Sequence, residues 1–538
     1  MFFNSYQFFI FFSVVVAVFF SMPQRFRWIF LLGASYFYYM VWNPKYAVLI
    51  MTTTLIVYGT ALLMNGKTPG VKKFYVALSV VSNLLILFLF KYFNFCNATM
   101  KELFGGMGVP YDVPALKLLL PVGISFYTFQ ALSYTIDVYR GVREPERHLG
   151  LFALYVSFFP VILSGPIERS TTLLPQFYEK MEFDYQRVTD GLKLMAWGFF
   201  QKLVIADRLG HYVNVVYANP EAHAGLPLML GTYLFVIQVY CDFSGYTDLA
   251  IGTAQVMGYR LLPNFRRPYF ARSLADLWRR WHITLISWFR DYLYIPLGGN
   301  RVPPWRFYLN MIIVFTLSGL WHGAQWTFVI WGSLNGVFLI ISRMTQGPRD
   351  RVREWIFGAI RRAPAPLFFF LAALPAAAAL LGGAGPVDVG IGARIGAGAA
   401  ALVFAGLGLL RTREPAYASF VDGAKTFWMV AATFHLFLMG AVFFRAKNVA
   451  DAWYILTHFA GTNFCRLMLH FDPIQFSLMI LLGFVLFAVH YIQETRGSIR
   501  KMIMTKPLAV RWALYALLGS SIVLLGVRGA DQFIYFQF

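Results

Sequence analysis

The chain has 538 residues, of which 58% are hydrophobic and only 13% charged, with a mean hydropathy of +0.58. A soluble domain carries about 25% charged residues, so a soluble globular enzyme is excluded. The formal charge of +21 sits mostly in short connections between apolar runs, where anionic lipid and the positive-inside rule account for it, and no basic domain is present to dock nucleic acid.

The apolar pattern starts at the N-terminus. Met1 to Phe20 has no basic leader, and Arg25 and Arg27 follow the run. That order predicts an uncleaved first span with its N-terminus outside. Further apolar runs lie near residues 27–43, 46–64, 73–92, 116–136, 149–166, 188–206, 227–256, 307–342, 366–382, 390–410, 425–444, 474–492 and 509–527. Allowing for re-entrant pieces, they predict an all-α polytopic membrane protein with roughly 11–15 helices across a core of about 30 Å.

Orientation follows from the connections. The first holds Arg25 and Arg27, the third Lys67, Lys72 and Lys73, and the fifth Arg140, Arg143 and Arg147. The second holds only Lys45. The odd connections are therefore expected in the cytoplasm, and the long fourth one, Asn94 to Val113, outside.

Two apolar segments exceed a simple span. Leu226 to Met257 contains Asp242-Phe243-Ser244-Gly245-Tyr246-Thr247-Asp248. The six-residue separation puts Asp242 and Asp248 on different faces of a regular helix, whereas Gln238, Asp242, Gly245 and Tyr246 share one. That polar stripe reads as a tunnel wall or as a set of interhelical hydrogen bonds. The 36 residues Phe307 to Ser342 carry no Asp, Glu, Lys or Arg. At 1.5 Å per residue they would reach about 54 Å as one helix, so the run must tilt, break or turn back. His322 lies in it, bracketed by Gly319 and Gly323. An ionisable group at that depth marks a pathway or a reaction site.

Between these segments, Ala271 to Tyr294 projects Arg272, Arg279 and Arg290 to one side and Leu274, Leu277, Trp278, Trp281, Leu285 and Trp288 to the other, the pattern of an interfacial helix. Residues 346–424 begin as a basic loop (Arg349, Arg351, Arg353) and continue as an Ala/Gly/Pro-rich apolar insertion, Ala376 to Ala400 included. This divides the chain into a core at 1–345, the variable region at 346–424 and C-terminal spans at 425–538.

The remaining polar groups add no second site. His148, His211 and His223 lie in polar connections, His435 and His490 stand alone in apolar helices, and His458 and His470 flank a connection. Cys96, Cys241 and Cys465 are far apart and read as small buried hydrophobes. No metal-ligand spacing joins His282, in Trp278-Arg279-Arg280-Trp281-His282, to His322.

Several ordered motifs resemble the membrane-bound O-acyltransferase family, in particular the membrane subunit of alginate and similar polysaccharide O-acetylation systems. They are Leu120-Pro121-Val122-Gly123-Ile124-Ser125-Phe126-Tyr127, Tyr134-Thr135-Ile136-Asp137-Val138-Tyr139-Arg140, the Asp242 to Tyr246 segment, Trp278 to His282, Arg290 to Arg301, Gly319-Leu320-Trp321-His322-Gly323 and Val442 to Ala446. The resemblance implies a ring of tilted helices around a central tunnel, with the family's invariant histidine at His322 and its preceding polar position at His282. Relatives commonly carry a histidine where this chain has Asn335, before Gly336.

The resemblance further implies acyl transfer in a bacterial inner membrane, with acetyl-CoA as the donor, no permanently bound cofactor and no metal. The acceptor is a polysaccharide such as alginate or cellulose, reached through a periplasmic SGNH-type acetyltransferase partner or a synthase complex, with lipid around the protein. His322 is expected to act as general base, since imidazole titrates at about 6.5, and His282 to orient the donor or stabilise the oxyanion. Trp321 and Trp326 are expected to wall the site together with Asp242, Tyr246 and Asn335. Arg279, Arg280 and Arg290 would hold CoA phosphates or lipid headgroups. Peptidoglycan O-acetylation, D-alanyl transfer to teichoic acid and a carrier or flippase without chemistry are the alternatives.

Overall fold

The computed structural model describes residue 1, residues 3–381, 391–459 and 472–527, and residue 533. Cys465, His470 and the middle of the Ala376–Ala400 stretch lie outside the described residues. All regular structure among the described residues is helical. Seven of these helices are long and apolar enough to cross a bilayer, and Tyr6–Ser21 and Ala399–Arg411 are shorter apolar helices. The chain is thus an all-α multi-pass membrane protein.

Long helices are fewer than apolar runs because several runs are not single helices. The run 116–136 is helical only from Ile124, and 149–166 only to Ser157, after which Pro160 and Pro166 frame a series of turns. Conversely, Asn94 to Gly106 is not a connection. It continues the helix from Pro69 through a π turn at Phe88–Tyr92, making a 38-residue rod. The extended chain that follows folds back along it, where the Asn94 amide donates to the Leu116 carbonyl (2.9 Å) and accepts from the Leu116 N–H (2.8 Å).

The chain divides into two compact units: Met1–Pro268 with Trp278–Val337 and Phe437–Phe538, and Tyr269–Leu277 with Phe338–Leu436. In the smaller, Ala365–Leu381 packs against Ile391–Arg411. Its core is Phe368, Tyr417 and Val421, flanked by Phe357, Phe404 and Leu407.

In the larger unit, glycines set two close helix pairs. A Cβ on Gly198 would lie 2.7 Å from the Gly245 carbonyl oxygen, and one on Gly252 2.7 Å from that of Gly191. Gly191 meeting Gly252 and Gly198 meeting Gly245 make Tyr185–Phe199 antiparallel to Leu226–Met257. Lipid tails are as apolar as leucine, so such close backbone approach is what holds helices together in a membrane. Past Gly198 the first helix opens into a π turn, Phe200–Ala206. The Leu226–Met257 helix itself stays unbroken for 32 residues. Most of it is packed inside protein, so its excess length need not meet lipid.

The other overlong run does break. Helices Pro304–His322 and Trp326–Met344 form a hairpin, tied by a Thr316–Ser333 hydroxyl bond of 2.8 Å. A Cβ on Gly319 would stand 2.2 Å from the Phe328 carbonyl oxygen, and one on Gly332 2.2 Å from that of Phe315. The segment Ala271 to Tyr294, expected as one interfacial helix, is instead two short helices, Leu274–Arg280 and Ile283–Phe289, and a π turn at Arg290–Tyr294. The break is at His282, whose backbone is left-handed (φ 43°, ψ 52°). Burial decides this. Trp278, Trp281, Leu285 and Trp288 are all buried within protein, which one straight helix lying in the interface would not provide.

Hydrogen bonds join the first and fifth connections to the stretch 166–188, which by the apolar runs would be the even-numbered sixth connection; the run before it, helical only to Ser157, does not keep it apart from them. Gln24 donates to the Glu179 carbonyl (2.8 Å), and Arg27 to that of Met181. Tyr58, near the end of the helix leading to the third connection, donates to the Arg147 carbonyl (2.5 Å), and Arg143 to that of Ser170 (2.7 Å). The second connection instead meets the chain after the fourth, where the Tyr46 hydroxyl donates to the Leu119 carbonyl (2.7 Å).

Candidate functional site

His322 is the last residue of the Pro304–His322 helix, and its position depends on the glycine that follows. A Cβ on Gly323 would lie 2.2 Å from the Phe328 ring, so only glycine lets the chain turn there. His282 reaches the same place through its left-handed backbone, a conformation a non-glycine residue holds only when its surroundings impose it. The two imidazoles, forty positions apart, stand with ring centroids 6.1 Å apart. Both are buried, His282 at 1% and His322 at 5% exposure.

An aromatic collar surrounds them. Trp321 lies 5.0 Å from the His322 ring and 5.8 Å from the His282 ring. Trp331 (5.1 Å) and Phe444 (5.4 Å) close the other side of His322, and Phe243 (4.7 Å) packs on His282. Two polar atoms in the same stretch, the Trp321 indole N–H and the Thr327 hydroxyl, are buried and form no hydrogen bond with the described residues. Such groups are rare in native proteins and each calls for a partner.

The hairpin end is held from outside by two residues the sequence reading passed over. Lys91 Nζ donates to the carbonyl oxygens of Trp321 (2.6 Å) and His322 (3.2 Å), and the Tyr92 hydroxyl to that of Leu320 (3.1 Å). The available signal was a lysine interrupting the apolar run that ends near residue 92.

Asp242 is in an ion cluster. Lys202 Nζ lies 2.7 Å from Asp242 Oδ1 and 2.8 Å from Asp207 Oδ1. One residue earlier, Gln201 donates to Asp248 (2.8 Å) and accepts from the Ser244 hydroxyl (2.6 Å). The Phe200–Ala206 π turn therefore serves both carboxylates of the facing helix, though they lie on different faces. Lys202, like Lys91, was not singled out from sequence.

The other expected site residues divide. Asn335 donates to the carbonyl of Trp331 (2.8 Å), which itself touches His322. Tyr246 stacks on Phe533 (4.5 Å), and Phe533 packs on Phe243 beside His282. Trp326 is 49% exposed and packs on Phe95, away from the histidine pair. The three arginines do not form one cluster. Arg280 bonds Glu494 (2.9 Å), Arg290 bonds Asp291 (2.8 Å), and Arg279 is exposed.

A cavity of about 1010 Å³ lies alongside, lined by Trp197, Tyr240, Ser244, Asp248, Asn264 and His490 among others, with Arg266, Arg267 and Arg500 also in its wall. Neither site histidine lines it. Asn264 connects the two places, because its backbone carbonyl accepts from the Ile283 N–H (2.9 Å) and its side chain from the Thr284 hydroxyl (2.6 Å).

Comparison with known proteins places this geometry. The sequence model of MBOAT, the membrane-bound O-acyltransferase family, matches residues 37–369. A probable alginate O-acetylase AlgI of Azotobacter vinelandii is 38% identical over 65% of this chain and 70% of its own length. The protein of the same name in Pseudomonas aeruginosa is 38% identical over 62% of this chain and 64% of its own. A peptidoglycan O-acetyltransferase of Helicobacter pylori is 35% identical over 58% of this chain and 63% of its own. The chain belongs to the membrane-bound O-acyltransferase family and is an acyltransferase.

Proposed function

We propose that this acyltransferase carries an acetyl group from a cytoplasmic thioester, acetyl-CoA, to a polysaccharide hydroxyl on the far side of the bacterial inner membrane, with His322 as general base. The observation that carries the reading is the buried His282–His322 pair, 6.1 Å apart inside an aromatic collar. Two titratable rings buried side by side and fixed by packing suit proton transfer, which works best when solvent is excluded and the groups are held in place. The acetylase names of the relatives support an acetyl group and a polysaccharide or peptidoglycan acceptor.

In this reading the acceptor hydroxyl loses its proton to His322 as its oxygen attacks the thioester carbonyl. The C–S bond then breaks, and the proton passes to the departing thiolate. His282 and the Trp321 indole N–H, on rings 5.8 Å apart, stabilise the oxyanion that forms between these steps. The odd-numbered basic connections lie in the cytoplasm, so donor approaches past Arg279 and Arg290, and the N-terminus is outside. The attacking hydroxyl belongs to the polymer, presented by a synthase complex, or to a periplasmic acetyltransferase partner of SGNH type that carries the acetyl ester on to the polymer.

The test is His322→Ala in membranes of a producing strain, with protein level confirmed and polymer O-acetylation measured. Loss of acetylation at normal protein level is expected. Retained acetylation removes His322 from the mechanism, and exchange of substrate without thioester cleavage would show a carrier. Transfer of D-alanine rather than acetate would reassign the acyl group.

A further inference from the structure

The end of the Pro304–His322 helix is a place where backbone carbonyls lose their partners. The last four carbonyls of any helix have none within it, and in a membrane interior water does not supply them. Here the chain turns sharply at Gly323. The carbonyls of Leu320, Trp321 and His322 are taken instead by Tyr92 and Lys91 (3.1, 2.6 and 3.2 Å). Consecutive side chains of a regular helix diverge by about 100°. Lys91 and Tyr92, which do reach neighbouring carbonyls, close the Phe88–Tyr92 π turn, a distortion that recurs at functional sites.

Lysine suits this position for three reasons. An ammonium has three donors, and here two go to the carbonyls while Ser125 Oγ lies 3.4 Å away. Its charge faces the negative end of the helix dipole. The same ammonium sits 5.9 Å from the Trp321 ring centroid, on the residue that fills the gap between the two histidines. Lys91 is therefore bonded to the carbonyls of His322 and of the residue before it, while the His322 ring stands 6.1 Å, centroid to centroid, from that of His282.

We infer that Lys91 is a positioning residue for the acyl transfer. It fixes the last two peptide groups of the helix, and through them the direction of the His322 ring and the Trp321 indole. This rests on the reading of His322 as the base.

The test compares Lys91→Met and Lys91→Arg in the full chain, in membrane vesicles supplied with acetyl-CoA, with rates normalised to folded protein. Losing charge-assisted bonds to a catalytic segment is expected to lower kcat about 10- to 100-fold. KM for acetyl-CoA should stay within about twofold, and Lys91→Arg, which keeps the charge and donors in a bulkier, planar head, should recover part of kcat. A purely structural role would lower the folded fraction and leave the normalised kcat unchanged. If Lys91→Met does not accumulate, Lys91→Gln replaces it, under the same criteria. The inference is overturned if the neutral variant keeps normal kcat, if Arg and the neutral variant are equally impaired, or if KM carries the loss. Retained turnover in His322→Ala would instead overturn the reading beneath it. Loss in His322→Ala with normal turnover in the Lys91 variants would remove only the inference.

Discussion

Replacing Lys202 with Met should damage the protein more than any other single change in its ion cluster. Lys202 Nζ is 2.7 Å from Asp242 and 2.8 Å from Asp207, and the three side chains are 7%, 4% and 3% exposed. Removing one partner of a buried pair costs about 3–5 kcal/mol, chiefly because the other charge is left uncompensated. Lys202→Met strands two carboxylates at once and belongs at the upper end, about 5 kcal/mol. Asp242→Asn leaves the Lys202–Asp207 pair intact and an amide oxygen where the carboxylate was, so about 1–2 kcal/mol is expected, the scale of one weakened charged hydrogen bond. The triple variant Lys202→Met, Asp207→Asn, Asp242→Asn has no stranded charge and should recover most of the loss. The assay is thermal unfolding of detergent-solubilised protein at one fixed scan rate. Unfolding of proteins this large is commonly irreversible, so the order of the variants is the readout. The reasoning is refuted if Asp242→Asn is as harmful as Lys202→Met, or if the triple variant is no better than Lys202→Met alone.

Two further outcomes follow from the geometry. Gly319→Ala and Gly332→Ala should each split the hairpin, because the added Cβ would lie 2.2 Å from a backbone oxygen, whereas Gly33→Ala, with nothing within 4 Å, should melt like the unsubstituted protein. Equal melting temperatures for Gly319→Ala and Gly33→Ala would contradict the hairpin contact. At His282, Asn tolerates the left-handed backbone and a β-branched residue does not, so His282→Asn should reach normal membrane levels and His282→Val should not, while both lose acyl transfer.

Much of the site was legible because its signals are local. A charge-free run of 36 residues cannot be one span, and glycines on both sides of His322 mark where it breaks. What was missed is non-local. Ala271 to Tyr294 carries a good amphipathic period, yet the backbone reverses hand at His282 to aim one ring, and periodicity holds no record of that. Asp242 and Asp248 appear unrelated on a regular helix. They are served together only because Gly198 and Gly245 bring a π turn from another helix alongside. In sequence the acids and histidines of the apolar runs stand out, whereas Lys91 and Lys202 sit near the ends of theirs and do not. Lys91 reaches carbonyls 230 and 231 positions away, and of the two carboxylates on Lys202, Asp242 lies 40 positions away while Asp207 lies five.

The two lysines point to one structural rule. The candidate site of this chain is built at an interrupted helix, Pro304–His322, which ends where the chain turns at Gly323. The interruption exposes carbonyls to a medium that cannot solvate them, at a cost of several kcal/mol for each group left bare. The protein must therefore bring donors to the same spot, and long cationic side chains on π turns supply them without breaking their own helices. Lys91 does this for the carbonyls at His322, and Lys202 does the converse for two buried carboxylates. It follows that the histidine and its lysine are one device. If the hairpin broke one turn earlier, Lys91 would face an intact helix and the carbonyls of the new end would be bare. The register of the break at Gly323 and the register of the π turn at Phe88–Tyr92 are for that reason fixed by the same requirement.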